Sequence, residues 1–150
     1  MTESNIEVPN EQACAFCDYL AGRRPYTVAF RSGLVAVLVT REQRGVGHVL
    51  VIPVRHCPTL LDATAEERHA LIDAVAEMSR TIDAAFERPG IAVWQNNGVP
   101  AHQMIPHLHF HVAGTLPSGG TEFGDVQELT VEQTDVIADK IRRAMPEPSG

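Results

Sequence analysis

A chain of 150 residues fits one domain of ordinary size with enough sequence for a real core. Its 12 Lys and Arg against 19 Asp and Glu leave a formal charge of −7, which argues against holding nucleic acid by its phosphate backbone but leaves small anionic ligands open. With 44% hydrophobic and 21% charged residues it is neither disordered nor fibrous, and no apolar run approaches the roughly 18 residues of a membrane span.

In chain order, residues 1–12 lack periodicity and contain Pro9, so they read as a mobile tail. They are polar and acidic, without the cationic and apolar parts of a secretory signal, which makes the cytoplasm the expected compartment. Three cysteines there are thiols or metal ligands rather than a disulfide framework. Ala15 to Ala21 is a short helix stopped by Gly22, with Pro25 following. Thr27 to Arg31 and Leu34 to Thr40 are β-rich runs about a Ser32-Gly33 turn, and His48 to Val54 is a strongly apolar strand.

The long helix is the clearest element: Thr64 and Glu67 form a capping box, and Leu71, Val75, Met78, Ile82 and Phe86 follow at helical spacing up to Pro89-Gly90. Ile91 to Gln95 and Ile105 to Ala113 are strands around a loop rich in turn formers. A final helix runs from Thr130, with Gln133 completing a second capping box, to about Met145, with Ile137, Ile141 and Ala144 as its apolar stripe. Residues 13–145 then form a single domain and 146–150 a C-terminal tail. Short turns and one inserted long helix predict an α+β fold, a mostly antiparallel five-stranded sheet with helices packed on one side. No dinucleotide-binding or P-loop glycine pattern is present.

Seven histidines are unusual for this length, and His102, His107, His109 and His111 fall close together. His107-Leu108-His109-Phe110-His111-Val112 alternates imidazole with apolar side chains at the period of a strand, so the imidazoles share one face. A solvated edge strand would be served as well by Lys, Thr or Glu. Alternating imidazoles suit either a catalytic metal or a nucleophile with a neighbouring charge stabiliser; neutral imidazole forms a labile phosphorus–nitrogen bond near pH 7. Cys14-Ala15-Phe16-Cys17 has the spacing of a zinc half-site or of a redox pair, and no strand precedes it as a redox pair normally requires.

The run from His107 to Ala113 resembles the H-φ-H-φ-H-φ-φ signature of the histidine triad (HIT) family of nucleotide hydrolases and transferases, most nearly its bacterial Hint-like type. Gly47-His48-Val49-Leu50-Val51-Ile52-Pro53, Arg55-His56, and Asn96-Asn97-Gly98 with Gln103 are similar to the segments that accompany it, so the resemblance spans roughly Cys14 to Ala113. It implies that His109 attacks the α-phosphorus of a nucleotide, that His111 hydrogen-bonds the phosphate, and that Asn96 and Gln103 contact phosphate or orient their loop. Backbone N–H groups near His109 and in the loop from Gly98 to Met104 are expected to complete an anion cradle. His102, at a frequent glycine position, either adds a donor to the phosphate or accommodates the turn that follows it. Thr40 falls where Asp or Asn commonly contacts the ribose.

The resemblance also implies a structural Zn2+ held by Cys14, Cys17, His56 and His107, with no organic cofactor. It further implies a homodimer with a small-molecule nucleotide substrate, while the net charge and the lack of a long apolar run speak against a nucleic-acid or a membrane partner. His48 is expected to support the triad, His69 to be solvated and Cys57 to be packed. Three departures stand out. Met104 replaces a Ser or Thr that assists the leaving group, Thr40 offers only part of a ribose contact, and Gly114-Thr115-Leu116-Pro117 replaces an arginine-bearing tail. A nucleotide-binding sensor or scaffold with little turnover is the alternative function.

Overall fold

The computed structural model describes residues 4–12 and 14–146. The expected tails therefore lie partly outside the described residues, at 1–3 and 147–150. Alternation and capping residues decide the order of elements: α1 (Ala15–Leu20), β1 (Val28–Arg31), β2 (Val35–Val39), β3 (Val46–Pro53), α2 (Ala65–Phe86), β4 (Ile91–Gln95), β5 (Phe110–Gly114) and α3 (Val131–Ala144). The strands form one sheet in the order β1-β2-β3-β5-β4, and every pairing is antiparallel.

Both capping boxes form, Thr64 with Glu67 and Thr130 with Gln133, satisfying amides that would otherwise be orphaned at the first turns of α2 and α3. α2 stops at Phe86, before the proline: Pro89 disfavours helical backbone at Arg88, and Glu87 turns left-handed at φ 52°. In α3 the buried stripe is Thr134, Ala138 and Ile141, so the expected Ile137 and Ala144 sit at its margin.

The sheet buries both faces. Val35, Val37, Val39, Val49, Val51, Phe110 and Val112 pack with Leu71, Val75, Met78 and Ile82 of α2 and Ala138 and Ile141 of α3. Ala36, Leu38, Leu50 and Ile52 point the other way, against Cys14 and Phe16. The expectation that all helices pack on one side is thus corrected, because the six residues of α1 cover part of the opposite face. A strand such as β2, with all five residues buried, can only lie between two layers.

Two local features aim side chains onto that second face. The β3–β5 register shifts between Val46 and Val49, a bulge around Gly47 and His48. Gly47 has φ +67°, and a Cβ there would collide with the Phe86 ring. The last strand is shorter than expected, beginning at Phe110 rather than Ile105. Continuing the register would set Leu108 opposite Pro53, which has no N–H to donate. The Leu108 amide donates instead to the Cys57 carbonyl. The alternation survives: Leu108, Phe110 and Val112 enter the α2 side of the core. Among the described residues no helix is long and apolar enough to cross a membrane.

Candidate active site and metal centre

Hydrogen bonds assign the proton on each imidazole, because a carbonyl oxygen can only accept and an amide can only donate. His109 Nδ1–H donates to the His107 carbonyl at 2.7 Å, which leaves Nε2 with a free lone pair. The Arg44 amide donates to His48 Nδ1 at 3.1 Å, so the His48 proton is on Nε2, which donates to His111 Nδ1 at 3.0 Å. His111 must then carry its own proton on Nε2. One imidazole offers a lone pair and its neighbour offers a donor, with ring centroids 4.9 Å apart.

Burial keeps these rings uncharged. It lowers His48 to about 3 and His111 to about 2, the latter with further repulsion from His109 and His48, and it pushes His109 down as well. Phe16 of α1 packs its ring edge-on against His109, centroids 5.1 Å apart, and so helps to exclude water. Neutral imidazole is the form that can act as a nucleophile or accept a proton.

His107 faces elsewhere. Fully buried, it donates from Nε2 to the Pro53 carbonyl at 2.8 Å, and its Nδ1 lies 3.5 Å from Cys14 Sγ and 3.6 Å from Cys17 Sγ. His56 Nδ1 lies 3.2 Å from Cys17 Sγ, while its Nε2 donates to Glu11 Oε1 at 3.2 Å. The four ligand atoms fall within 4.8 Å of one another. A tetrahedral ion with bonds of about 2.3 Å to sulfur and about 2.0 Å to nitrogen separates S from N by about 3.5 Å, so these residues fit one metal ion. The outer-shell contacts are also of the right kind: each histidine is held through its second nitrogen by a carbonyl or a carboxylate. In the protein alone, burial and then the Cys14 side chain push the Cys17 thiol up to about 12, and a bound cation reverses that by favouring thiolate. The three triad histidines do not converge on a single metal position, since His107 points to the cysteines.

Gln103 is buried with its amide fully engaged: Oε1 accepts from Gly98 N–H, and Nε2 donates to the Pro58 and Ile105 carbonyls. It orients the loop. That loop also uses the amides expected to cradle an anion: Val99 N–H donates to the Glu7 carbonyl, Ala101 and Gln103 N–H to Gly98, and His102 N–H to Val99. Of the backbone donors expected from Gly98 to Met104, those from Gly98 to Gln103 are thus turned inward: the short 3₁₀ turn over Val99–Ala101 uses Ala101, His102 and Gln103, while Gln103 Oε1 and the Glu7 carbonyl take Gly98 and Val99. His102 is exposed and left-handed at φ 70°, a conformation that suits glycine. Thr40 is buried and its Oγ1 accepts from the Glu42 amide at 3.2 Å. Asn96 follows β4 and is partly exposed, and Met104 is 79% exposed. His69 lies on the exposed side of α2, and Cys57 is buried with its thiol on the Thr59 carbonyl, as expected.

Sequence reasoning missed Trp94, which stacks on His111, and Glu11, which the tail brings to His56. The register between β4 and β5 signals the first; nothing local signals the second.

The site thus sets a lone-pair imidazole beside a donor imidazole on one face of a five-stranded antiparallel sheet. The family model described as the HIT domain matches residues 21–117. The chain belongs to the HIT family. It is similar to the bis(5'-nucleosyl)-tetraphosphatase of Schizosaccharomyces pombe, 35% identical over 98 residues, which are 65% of this chain and 52% of that protein. The chain thus spans about half the length of that relative. An adenosine 5'-monophosphoramidase of the same organism is 28% identical over 112 residues, 75% of this chain and 79% of its own. Among solved structures, a HIT-like protein from Bartonella henselae superposes with a TM-score of 0.83 at 26% identity, over 93% of this chain and all of that one. Cys14 and Cys17 lie ahead of the region that the family model matches.

Proposed function

We propose that the protein is a nucleotide hydrolase or transferase that cleaves a nucleoside monophosphate from its leaving group by way of a nucleotidyl-histidine. The observation that carries this reading is the His109 Nδ1–H bond to the His107 carbonyl, which leaves Nε2 unprotonated. The Nε2 lone pair attacks the α-phosphorus and forms a P–N bond while the bond to the leaving group breaks, and the leaving group departs with that electron pair and takes up a proton from solvent. Water then attacks phosphorus and gives up one proton to solvent, the P–N bond breaks back onto Nε2, and the nucleoside monophosphate is released. His111 Nε2–H donates to a phosphate oxygen as charge develops there. Asn96, Thr40 and His102 form the substrate-binding set, and Gln103 acts through the loop it ties. The two relatives named above act on a tetraphosphate and a phosphoramidate, substrates that share a nucleoside phosphoryl group and differ in what leaves. That difference supports chemistry centred on the α-phosphate.

The metal in this reading is a structural Zn2+ on Cys14, Cys17, His56 and His107, which when bound closes four coordination positions and supplies no open one. It leaves the chemistry to the imidazoles. The acting form is a cytoplasmic homodimer.

His109→Asn tests the mechanism. Turnover of a panel of dinucleoside polyphosphates, phosphoramidates and aminoacyl adenylates should fall by about 10³-fold or more, with nucleotide binding kept within about threefold. Mass spectrometry of the native protein quenched in acid-free conditions should find one nucleotidyl adduct on His109. Unchanged turnover in the variant would sink the proposal. A second reading, a nucleotide-binding sensor with little turnover, is favoured by exposed Met104, whose thioether cannot donate a proton. It predicts affinity without release of nucleoside monophosphate from the same panel.

A further inference from the structure

The β4–β5 register sets Trp94 directly opposite His111. Their rings lie face to face, with centroids 4.6 Å apart and 4° between the planes. Trp94 also leans on His48, at 5.1 Å and 45°. It is the single tryptophan of the chain, and the function proposed above gives it no part.

One hydrogen bond does not fix a ring. The bond from His48 Nε2–H to His111 Nδ1 sets one corner of the imidazole, but the ring can still tip about the line through the two nitrogens. A flat surface held parallel to it removes that freedom. An aliphatic side chain at position 94 would fill the same cross-strand position and pack as well against a β-strand neighbour. It would not define a plane. β4 is also an end strand of the sheet, so on that side Trp94 is the ring that covers His111.

We infer that Trp94 is a positioning residue for His111: the stacked indole and the His48 hydrogen bond together hold the imidazole so that its Nε2–H keeps one direction, toward the phosphate. The inference rests on the reading of His111 as a phosphate donor. In this role Trp94 acts through the His111 ring. Directional errors are expensive in such a site, where a shift of about 1 Å can cost about 100-fold in rate, so loosening one ring should cost about tenfold.

The test compares Trp94→Leu and Trp94→Phe in the full-length, metal-loaded protein. In Trp94→Leu kcat should fall about tenfold while KM stays within about twofold, and Trp94→Phe, which keeps a flat ring, should recover most of that loss. A second readout needs no turnover. With ¹⁵N-labelled histidine, His111 of the native protein should give the single Nε2–H tautomer and ring protons moved upfield by the indole. In Trp94→Leu the upfield displacement should vanish and the tautomers should mix, with His109 unchanged. Trp94→Met, also without a flat ring, replaces the leucine variant if that one does not fold. Native kcat in a folded variant without the ring, or an unmoved His111 spectrum, overturns the inference. If the native protein turns over no substrate of the panel, the proposed function fails, and the His111 spectra alone still decide whether the indole holds the ring.

Discussion

At the scale of single residues, the site depends on which nitrogen holds each proton. His48 accepts from a backbone amide on one side and donates to His111 on the other, so its proton sits between two imidazoles with no solvent partner. The unfolded chain protonates this histidine near pH 6.5, whereas the folded protein, through burial, resists until about 3. Below about pH 6.5 the unfolded state therefore binds the extra proton and stability is lost as pH falls toward 3; above pH 6.5 His48 contributes no pH dependence. His111, lowered to about 2, acts with the same sign. Each group contributes up to about 1.4 kcal/mol per pH unit in that window. Urea unfolding between pH 6 and 4 should show His48→Gln losing stability less steeply than the native protein, by about one proton. Equal slopes would mean that His48 is charged in the fold.

At the scale of elements, the bulge before His48 is the part most exposed to a small change. Gly47→Ala puts a side chain at φ +67° and into the Phe86 ring, which would have to swing aside. It should cost on the order of 1 to 3 kcal/mol in chemical denaturation. Gly33→Ala, whose new methyl meets nothing within 4 Å, should stay within about 0.5 kcal/mol.

Such features mark where sequence reading stops. The alternation of His107 to Val112 showed which side chains enter the core, since it is a local property of the strand. The true start of β5 was hidden because the residue that ends its ladder, Pro53, lies far away in sequence. Capping boxes were legible as four-residue patterns, yet the placement of α1 on the second face depends on how Phe16 meets His109 after folding. Trp94 looked like an ordinary strand residue until strand order put β4 beside β5. The engagement of the loop donors after Gly98 is not legible locally, because the Glu7 carbonyl that accepts from Val99 lies near the start of the chain.

At the scale of the molecule, the two faces of the sheet divide the work. One face carries the large apolar core against α2 and α3. The other holds the imidazoles, with α1 laid over one end of them and Cys14 and Cys17 at its start. An ion on the four ligands would pin α1 to the segments that follow β3 and precede β5, and with it the Phe16 ring that screens His109. The purified protein should hold one metal ion per chain by elemental analysis. Chelation should lower its thermal midpoint by several degrees, and Cys17→Ser should already show that loss without chelator. A protein that melts at the same temperature with and without chelator would show the cluster to be two thiols and two imidazoles packed for their own sake.

The spacing of those ligands along the chain has a consequence for supply as well as shape. Cys17 and His56 are 39 residues apart and Cys17 and His107 are 90, so one small ion closes long loops that the unfolded chain must otherwise close at an entropic cost. An ion that binds only the folded form shifts the folding equilibrium by mass action, by about 2.7 kcal/mol when its free concentration is 100 times its dissociation constant. The population of competent protein would then follow the free metal concentration of its surroundings.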